Sequence, residues 1–299
     1  MRYALLLGED ADVIRSLCAL LVLGLLATAA SPLVAAETAR QILDRQRALD
    51  DGERRWVDRH QRLTMEVVSP DHAGRSMAVE LFDKKVAGGE QRTMAFFSAP
   101  ANVKGTAFLA ITHASRAADQ WLYLPEFRRA RRVGGAARYS GFVGTDFTYH
   151  DLDLLAEMPQ WAEADATSSL RGEETVDGVP CHVIELTPVR EDIGYQRIVV
   201  WVGRDDLVAR RIEFYEQAPT AGWLGLGGGA APTRRITQSD VRRVGAIPVP
   251  FHVEVQTPAA ASKTVVTFTS VTFDQSLPDD LFTQPALEWG TYTPGSAPS

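Results

Sequence analysis

The side chains best suited to noncovalent binding lie in one stretch of the sequence, between residues 119 and 155. Aromatic residues stand there among small ones, close to several arginines in a chain that is acidic overall. Aromatic rings offer apolar surface, and guanidinium groups bind phosphate or carboxylate groups through a forked geometry. We therefore expect a cavity for a molecule with an apolar body and a polar end. The predicted cavity residues are Trp121, Tyr123, Phe142, Phe147 and Tyr149, and the predicted polar lip or partner contact comprises Arg128, Arg129, Arg131, Arg132 and Asp146.

Each of these residues also has a plainer interpretation. A run of arginines is often a solvated turn, and a single buried aromatic residue more often belongs to an ordinary core than to a ligand site. The position of the aromatic residues beside the arginines favours a ligand site, because such sites combine apolar walls with a few polar groups.

Catalytic and metal-binding patterns are missing from the sequence. The six histidines show no HExxH or paired spacing, and there is no GxSxG, P-loop or GxGxxG pattern. Asp146, His150 and Asp151 stand close together without a nearby nucleophile, which favours capping and surface roles. We expect no enzyme activity, no metal and no cofactor.

An extended segment must position the first of the aromatic residues. Trp121, Tyr123 and Phe127 fall on one face by the period of two, while Leu122 and Leu124 fall on the other. Neither face suits water, so the segment is predicted to be a buried strand.

A short helix follows the last aromatic residues. Thr148 and Asp151 have the spacing of a capping box, Leu152 and Leu155 share one face, and Pro159 ends the helix. This helix is predicted to lie next to the cavity.

The remaining chain is mainly β with added helices. Thr38 and Gln41 begin a first amphipathic helix, and the period then changes to two in roughly ten or eleven segments separated by turns. Since no βαβ alternation occurs, we expect an antiparallel sheet. Such a sheet twists and curls, and its concave apolar face must be filled by helices, side chains or a ligand.

The chain is predicted to comprise a signal peptide at 1–36, a single domain at 37–290 and a disordered tail at 291–299. The segment 17–30 is apolar, Arg15 precedes it, and small residues at 34–36 suit cleavage. An uncleaved anchor is the alternative. Cys181 is then the only cysteine of the mature chain, so no internal disulfide can form. The formal charge of −7 gives no reason to expect nucleic acid as a partner.

A glycine-rich segment at 221–229 carries Trp223, Leu224 and Leu226. It is interpreted as a flexible loop, or alternatively as a contact with a membrane or a protein partner.

Two consecutive motifs, WLYLPEFRRARRV at 121–133 and GFVGTDFTYHDL at 141–152, resemble those of the outer-membrane lipoprotein-sorting family of LolA-like periplasmic carriers. The segments at 195–216 and 277–283 resemble that family's closing strands and last helix. The resemblance covers residues 39–287. The motifs are most similar to members encoded beside large lipid-exporting transporters, and the glycine-rich segment looks like an insertion.

This resemblance implies an incomplete β-barrel around a hydrophobic cavity covered by helices. It implies a monomeric periplasmic carrier that binds lipid or lipoprotein acyl chains and transfers them toward the outer membrane, with a membrane transporter or an outer-membrane acceptor as partner. The alternative is a cargo-free envelope adaptor that binds a lipid exporter or an outer-membrane protein. An integral outer-membrane barrel is disfavoured, because helices are predicted at both ends of the chain.

Overall fold

Alternation of apolar and polar residues governs most of the chain, and it produces strands wherever one face can be buried. The computed structural model describes residues 37–70, 72–114, 116–216 and 231–292, and the side chains at 72 and 73 are not described. The predicted signal peptide, the Trp223 segment and most of the predicted tail lie outside these residues.

Two α-helices are described. The first, α1, spans Ala39–Asp51, and the second, α2, spans Tyr149–Glu157. Both begin with the predicted capping boxes, at Thr38 with Gln41 and at Thr148 with Asp151. Neither helix has the length and hydropathy needed to cross a bilayer.

Thirteen strands form one sheet in the described part of the chain. They are β1 (Asp58–Ser69), β2 (His72–Val86), β3 (Glu90–Ala99), β4 (Ala107–Thr112), β5 (Asp119–Leu124), β6 (Arg129–Val133), β7 (Ala166–Val176), β8 (Val179–Pro188), β9 (Arg197–Gly203), β10 (Ala209–Tyr215), β11 (Arg234–Val244), β12 (Ile247–Thr257) and β13 (Ser262–Phe273). Short 3₁₀ turns occupy Gly135–Tyr139, Phe142–Gly144, Met158–Gln160, Glu191–Ile193, Pro258–Ala260, Asp279–Phe282 and Pro285–Glu288.

The sheet is antiparallel throughout and open at both edges. Its order runs from β6 through β5, β4, β3 and β2 to β1, continues with β13, and then descends to β7. The first and last strands are therefore neighbours in the middle, where Met65 faces Val266. The predicted fold class, a mainly β chain with an antiparallel sheet and few helices, is confirmed.

The predicted number of strands was too low. The missing strands are β6, β7 and β11, and two of these are the sheet edges. Edge strands carry polar residues on both faces, as in the exposed run of β7, so they lack the alternation that marks a half-buried strand.

One face of the sheet forms the main core together with both helices. Ala95 and Phe97 of β3 point into it, as do Ile42 of α1 and Leu154 of α2. Inward residues from strands on both halves of the sheet share this core, so the sheet curves around the helices.

The opposite face of β2 to β5 has a cover of its own. Phe82, Met94 and Leu109 point outward and pack against the segment that follows β13. Leu281 and Phe282 of that segment lie in the 3₁₀ turn Asp279–Phe282, where the sequence predicted a short closing helix.

Candidate functional site

Trp121 and Tyr123 lie on the outer face of the sheet, not in the cavity for which they were predicted. In the strand register Trp121 faces Leu109 and Tyr123 faces Ala107, and all four side chains contact the C-terminal cover. Gln120, the neighbour of Trp121, points to the inner face instead. The period of two correctly separates the two faces, but it does not identify the face that borders the cavity.

Phe142, Phe147 and Tyr149 do come together on the inner face. The ring centroids of Phe142 and Tyr149 are 5.4 Å apart, and Phe108 lies 5.0 Å from Phe142. Phe147 belongs to the same core. Of the five predicted aromatic residues, Phe142 alone lines the cavity described below, and the rings of Phe147 and Tyr149 are buried in the core beside it.

Asp146 is buried and lies away from any exposed lip. Its carboxylate accepts hydrogen bonds from the hydroxyl groups of Ser262 and Thr264, and its carbonyl oxygen accepts one from Arg234. Because these donors come from β13 and β11, Asp146 fastens the segment before α2 to the sheet.

The four predicted arginines lie at an edge of the sheet and do not line the cavity. Arg128 is in the turn between β5 and β6 with a φ of 45°, and Arg129 begins the edge strand. Arg132 pairs with Asp119. Arg131 lies 4.7 Å from the ring centroid of Phe127, whose side chain is 49% exposed. We call this cationic, aromatic surface the hairpin tip.

The main cavity opens on the concave side of the sheet and has a volume of about 720 Å³. Its walls come from β1 to β5, from α2, from the end of α1 and from the start of β12. Its apolar lining includes Leu63, Met65, Val79, Leu81, Ala95, Phe108, Ala110, Phe142, Leu152, Leu155, Ala156, Val249 and Phe273.

A row of four polar residues and one alanine crosses the cavity wall at a single level. Arg59 faces Asp83, Asp83 faces Thr93, Thr93 faces Ala110, and Ala110 faces Gln120, in a row perpendicular to five strands. All five residues line the cavity. We call this row the collar.

In the next two inward-facing rows the residues that line the cavity are apolar. Phe108, Ala95 and Leu81 form the first row, and Val79 and Leu63 belong to the second. We call these residues the floor. A cavity with an apolar floor and a polar collar is complementary to an amphiphile.

The collar is held by the buried carboxylate of Asp83. Arg59 pairs with Asp83 over 2.8 Å, Gln61 donates to it over 3.0 Å, and the Thr93 hydroxyl donates over 2.8 Å. These three donors satisfy the hydrogen-bonding capacity of a carboxylate that is buried in the wall.

Helix α2 contributes two acidic residues to the cavity. Burial raises the pKa of Asp153 above its usual range. Burial also raises the pKa of Glu157 to about 7, although Arg190 lies 3.2 Å away and opposes the shift. Glu157 is therefore poised to change its protonation state near neutral pH.

The cavity opens where its lining residues are exposed. Asp51 at the end of α1, Gly89 between β2 and β3, Ala114 after β4, and Gln160 after α2 mark this mouth. Lys85 lies nearby with its ammonium 4.3 Å from the ring centroid of Trp56.

The collar could have been found from the sequence only in part. Asp83 falls on the same face of β2 as Val79 and Leu81 by the period of two, so the sequence places a polar residue on an otherwise apolar face. Gln120 and Thr93 give no comparable signal. Among the described residues, no group of three or more His, Cys, Asp and Glu side chains is placed to hold a metal ion.

Comparison with known proteins identifies the family of the chain. A family profile described as "uncharacterized protein" matches residues 89–289, about two thirds of the 299 residues. The chain belongs to this family. A comparison with curated proteins gave no match.

Solved structures show the fold. A DUF1329 family protein from Desulfovibrio piger has a TM-score of 0.71 at 22% identity, over 83% of this chain and 98% of the other. A putative outer membrane lipoprotein-sorting protein domain from Vibrio parahaemolyticus has a TM-score of 0.70 at 21% identity, over 82% and 97%. A LolA superfamily protein from Nitrosomonas europaea has a TM-score of 0.58 at 18% identity, over 84% and 100%. The chain has the LolA-like fold.

Proposed function

We propose that this protein is a periplasmic carrier that binds lipid or lipoprotein acyl chains in the cavity and transfers them toward the outer membrane. The observation that carries the proposal is the change from apolar floor to polar collar along one wall. An acyl chain in contact with Phe108, Leu81 and Val79 leaves water at about 0.8 kcal/mol for each methylene group. The collar then meets the polar end.

The size of the cavity agrees with this role. Small-molecule sites commonly have volumes of about 300–1,000 Å³, and this one has about 720 Å³. The LolA-like fold supports the same function, since one similar structure is a putative lipoprotein-sorting protein domain. The proposed activity is binding and release, without catalysis.

Helix α2 is the wall whose movement would release the cargo. Its first turn is fastened to the sheet through Asp151, which Tyr195 and Arg234 both contact. Its last turn is held by the pair of Glu157 with Arg190. Since the second attachment depends on one ionisable group with a raised pKa, we propose that α2 opens from its C-terminal end.

The hairpin tip supports a docking role in the same cycle. Arg128 and Arg129 are exposed, and Phe127 presents apolar surface beside them. Guanidinium groups suit phosphate head groups, so the tip would meet a membrane surface. The same observation favours the alternative function, a cargo-free adaptor whose tip binds an acidic surface of an exporter or an outer-membrane protein.

Native mass spectrometry separates the two functions. The protein is purified from periplasm without detergent, and the same sample is extracted for lipids. Additional mass that resolves into acyl-bearing species supports the carrier. A mass of the protein alone, before and after incubation with envelope lipids, contradicts the carrier and favours the adaptor.

A further inference from the structure

Two residues of the cavity wall carry buried acceptor atoms that lack a hydrogen-bond partner in the protein. They are Oε1 of Gln120 and Oδ1 of Asp153. Both residues are more than nine-tenths buried. No other lining residue in the described part of the chain has a buried unpartnered atom, so the buried polar atoms of the wall that lack a partner are both acceptors.

The orientation of each group follows from its other contacts. Nε2 of Gln120 donates to the carbonyl oxygen of Tyr149 over 3.0 Å, so Oε1 is the free end of the amide. Oδ2 of Asp153 accepts from the backbone N–H of Ala118 over 3.0 Å and from Arg138 over 2.6 Å, so Oδ1 is the free oxygen.

The two acceptors belong to one place in the fold. Ala118, which donates to Asp153, and Gln120, which donates to Tyr149, are two residues apart and share a side of the chain at the start of β5. Their partners Tyr149 and Asp153 are one turn apart on α2. The pair therefore lies where the collar meets α2. Arg138 supports the charged form of Asp153 against the burial that raises its pKa.

The charges around the pair also favour a donor. The lining residues include six acidic side chains, at Asp50, Asp51, Asp83, Glu90, Asp153 and Glu157, against three basic ones, at Arg54, Arg59 and Lys85. Three of these carboxyl groups are paired, Asp83 with Arg59, Asp153 with Arg138 and Glu157 with Arg190. An anionic group at the collar would nevertheless approach Oδ1 of Asp153, which has no donor in the protein.

We propose that the cavity selects amphiphiles whose polar end donates hydrogen bonds and carries no negative charge, an amine or a hydroxyl group bound by Gln120 and Asp153. This inference rests on the proposed function and adds the chemical class of the head group. A donor at the collar satisfies two buried acceptors that otherwise have no partner in the protein, and leaving a buried acceptor unpaired is unfavourable.

A competition among amphiphiles with one common tail tests this selectivity. Delipidated protein is incubated with equal amounts of dodecylamine, dodecanol, laurate and methyl laurate, and the bound species are measured by native mass spectrometry. We expect the amine and the alcohol to exceed laurate and methyl laurate by about tenfold. The ratio of amine to alcohol distinguishes the two kinds of donor.

Two variants locate the selectivity. Asp153→Asn removes the charge, and Gln120→Met removes the acceptor at nearly constant size. In each variant we expect the preference for donors over methyl laurate to fall severalfold while methyl laurate still binds. Trp121→Phe, on the outer face of β5, is the matched control and should keep the wild-type preference.

The outcomes distinguish this inference from the proposed function. Laurate bound as well as dodecylamine by the wild-type protein overturns the selectivity, and so does an unchanged preference in both folded variants. The wild-type ranking decides even if a variant fails to fold. Binding of none of the four amphiphiles overturns the proposed function itself.

Discussion

Tyr195 and Asp151 are 44 residues apart in the sequence, and the Tyr195 hydroxyl donates to Oδ1 of Asp151 over 2.6 Å. Oδ2 of the same carboxylate accepts from the backbone N–H of Thr148 over 2.7 Å and pairs with Arg234 over 2.9 Å. One fully buried carboxylate thus caps α2 and fastens it to the segment before β9 and to the start of β11. The N-terminal end of α2 is therefore a fixed point of the cavity wall.

Tyr195→Phe removes one of these bonds without changing the ring. A hydrogen bond to a charged group contributes about 1.5–3 kcal/mol, so we expect the free energy of unfolding to fall by about that amount. Urea unfolding followed by circular dichroism measures it. Tyr139→Phe is the control because Tyr139 is 58% exposed, and it should change stability little. Equal losses of stability in both variants would contradict the role of Asp151 in attaching the N-terminal end of α2.

The raised pKa of Glu157 predicts that the free energy of unfolding depends on pH, and it also sets the sign of that dependence. In the folded protein the pKa is about 7, against 4.5 for an ordinary glutamate. Between these values the folded state binds more protons than the unfolded state, so stability is highest below the lower pKa and falls as the pH rises through the higher one. The contribution lost is up to about 3 kcal/mol.

Glu157→Gln should remove this part of the pH dependence. Unfolding free energies of both proteins are compared across the window between the two pKa values and above it. We expect the wild-type protein to lose more stability than the variant as the pH rises. Parallel pH profiles would show that Glu157 does not titrate there, and the proposed opening of α2 at its C-terminal end would lose its support.

Asp83 should be among the most sensitive polar residues of the cavity. Asp83→Asn weakens the pair with Arg59 and places an amide among donors. Breaking a buried pair costs several kcal/mol, and because Arg59 is partly exposed we expect about 3 kcal/mol. Asp240→Asn is the matched control, since Asp240 pairs with Arg242 on an exposed hairpin and its replacement should change stability little. Urea unfolding measures both, and similar losses would contradict the structural role of the collar.

Local features of the fold could be predicted from the sequence, because they depend on neighbouring residues. Thr148 with Asp151 identifies the start of α2, and alternation identifies ten strands. The position of the cavity depends instead on the register between strands. Trp121 was assigned to the cavity, yet its partner Leu109 belongs to the outer face. A shift of one residue exchanges the faces, and no local pattern determines it.

The polar part of the site could not be predicted for a similar reason. Gln120 stands between residues of an apolar strand, and its importance appears only when Thr93 and Asp83 align with it across three strands. The bond between Asp146 and Thr264 also joins residues that are 118 positions apart. Such contacts are properties of the tertiary structure.

Filling the cavity should lower its lipid occupancy. Ala110 lines the cavity between Thr93 and Gln120, so Ala110→Phe adds a ring inside the collar. Ala259→Phe adds the same ring on the exposed turn Pro258–Ala260 and is the control. Native mass spectrometry of both proteins from periplasm should show less bound lipid in the first variant only. Unchanged occupancy in a folded Ala110→Phe protein would exclude this cavity as the lipid site.

The hairpin tip should bind anionic membranes. Each arginine near an anionic surface contributes about 1 kcal/mol, so replacing Arg128 and Arg129 with serine should weaken binding by about 2 kcal/mol, or roughly 30-fold. Flotation with vesicles of phosphatidylglycerol and phosphatidylcholine measures this. Replacing Arg171 and Arg204 with serine changes the net charge equally, but both pair with glutamates near the opposite sheet edge. If the two double variants lose binding equally, net charge controls binding and the tip does not dock. If only the first loses it, the tip orients the carrier on the membrane.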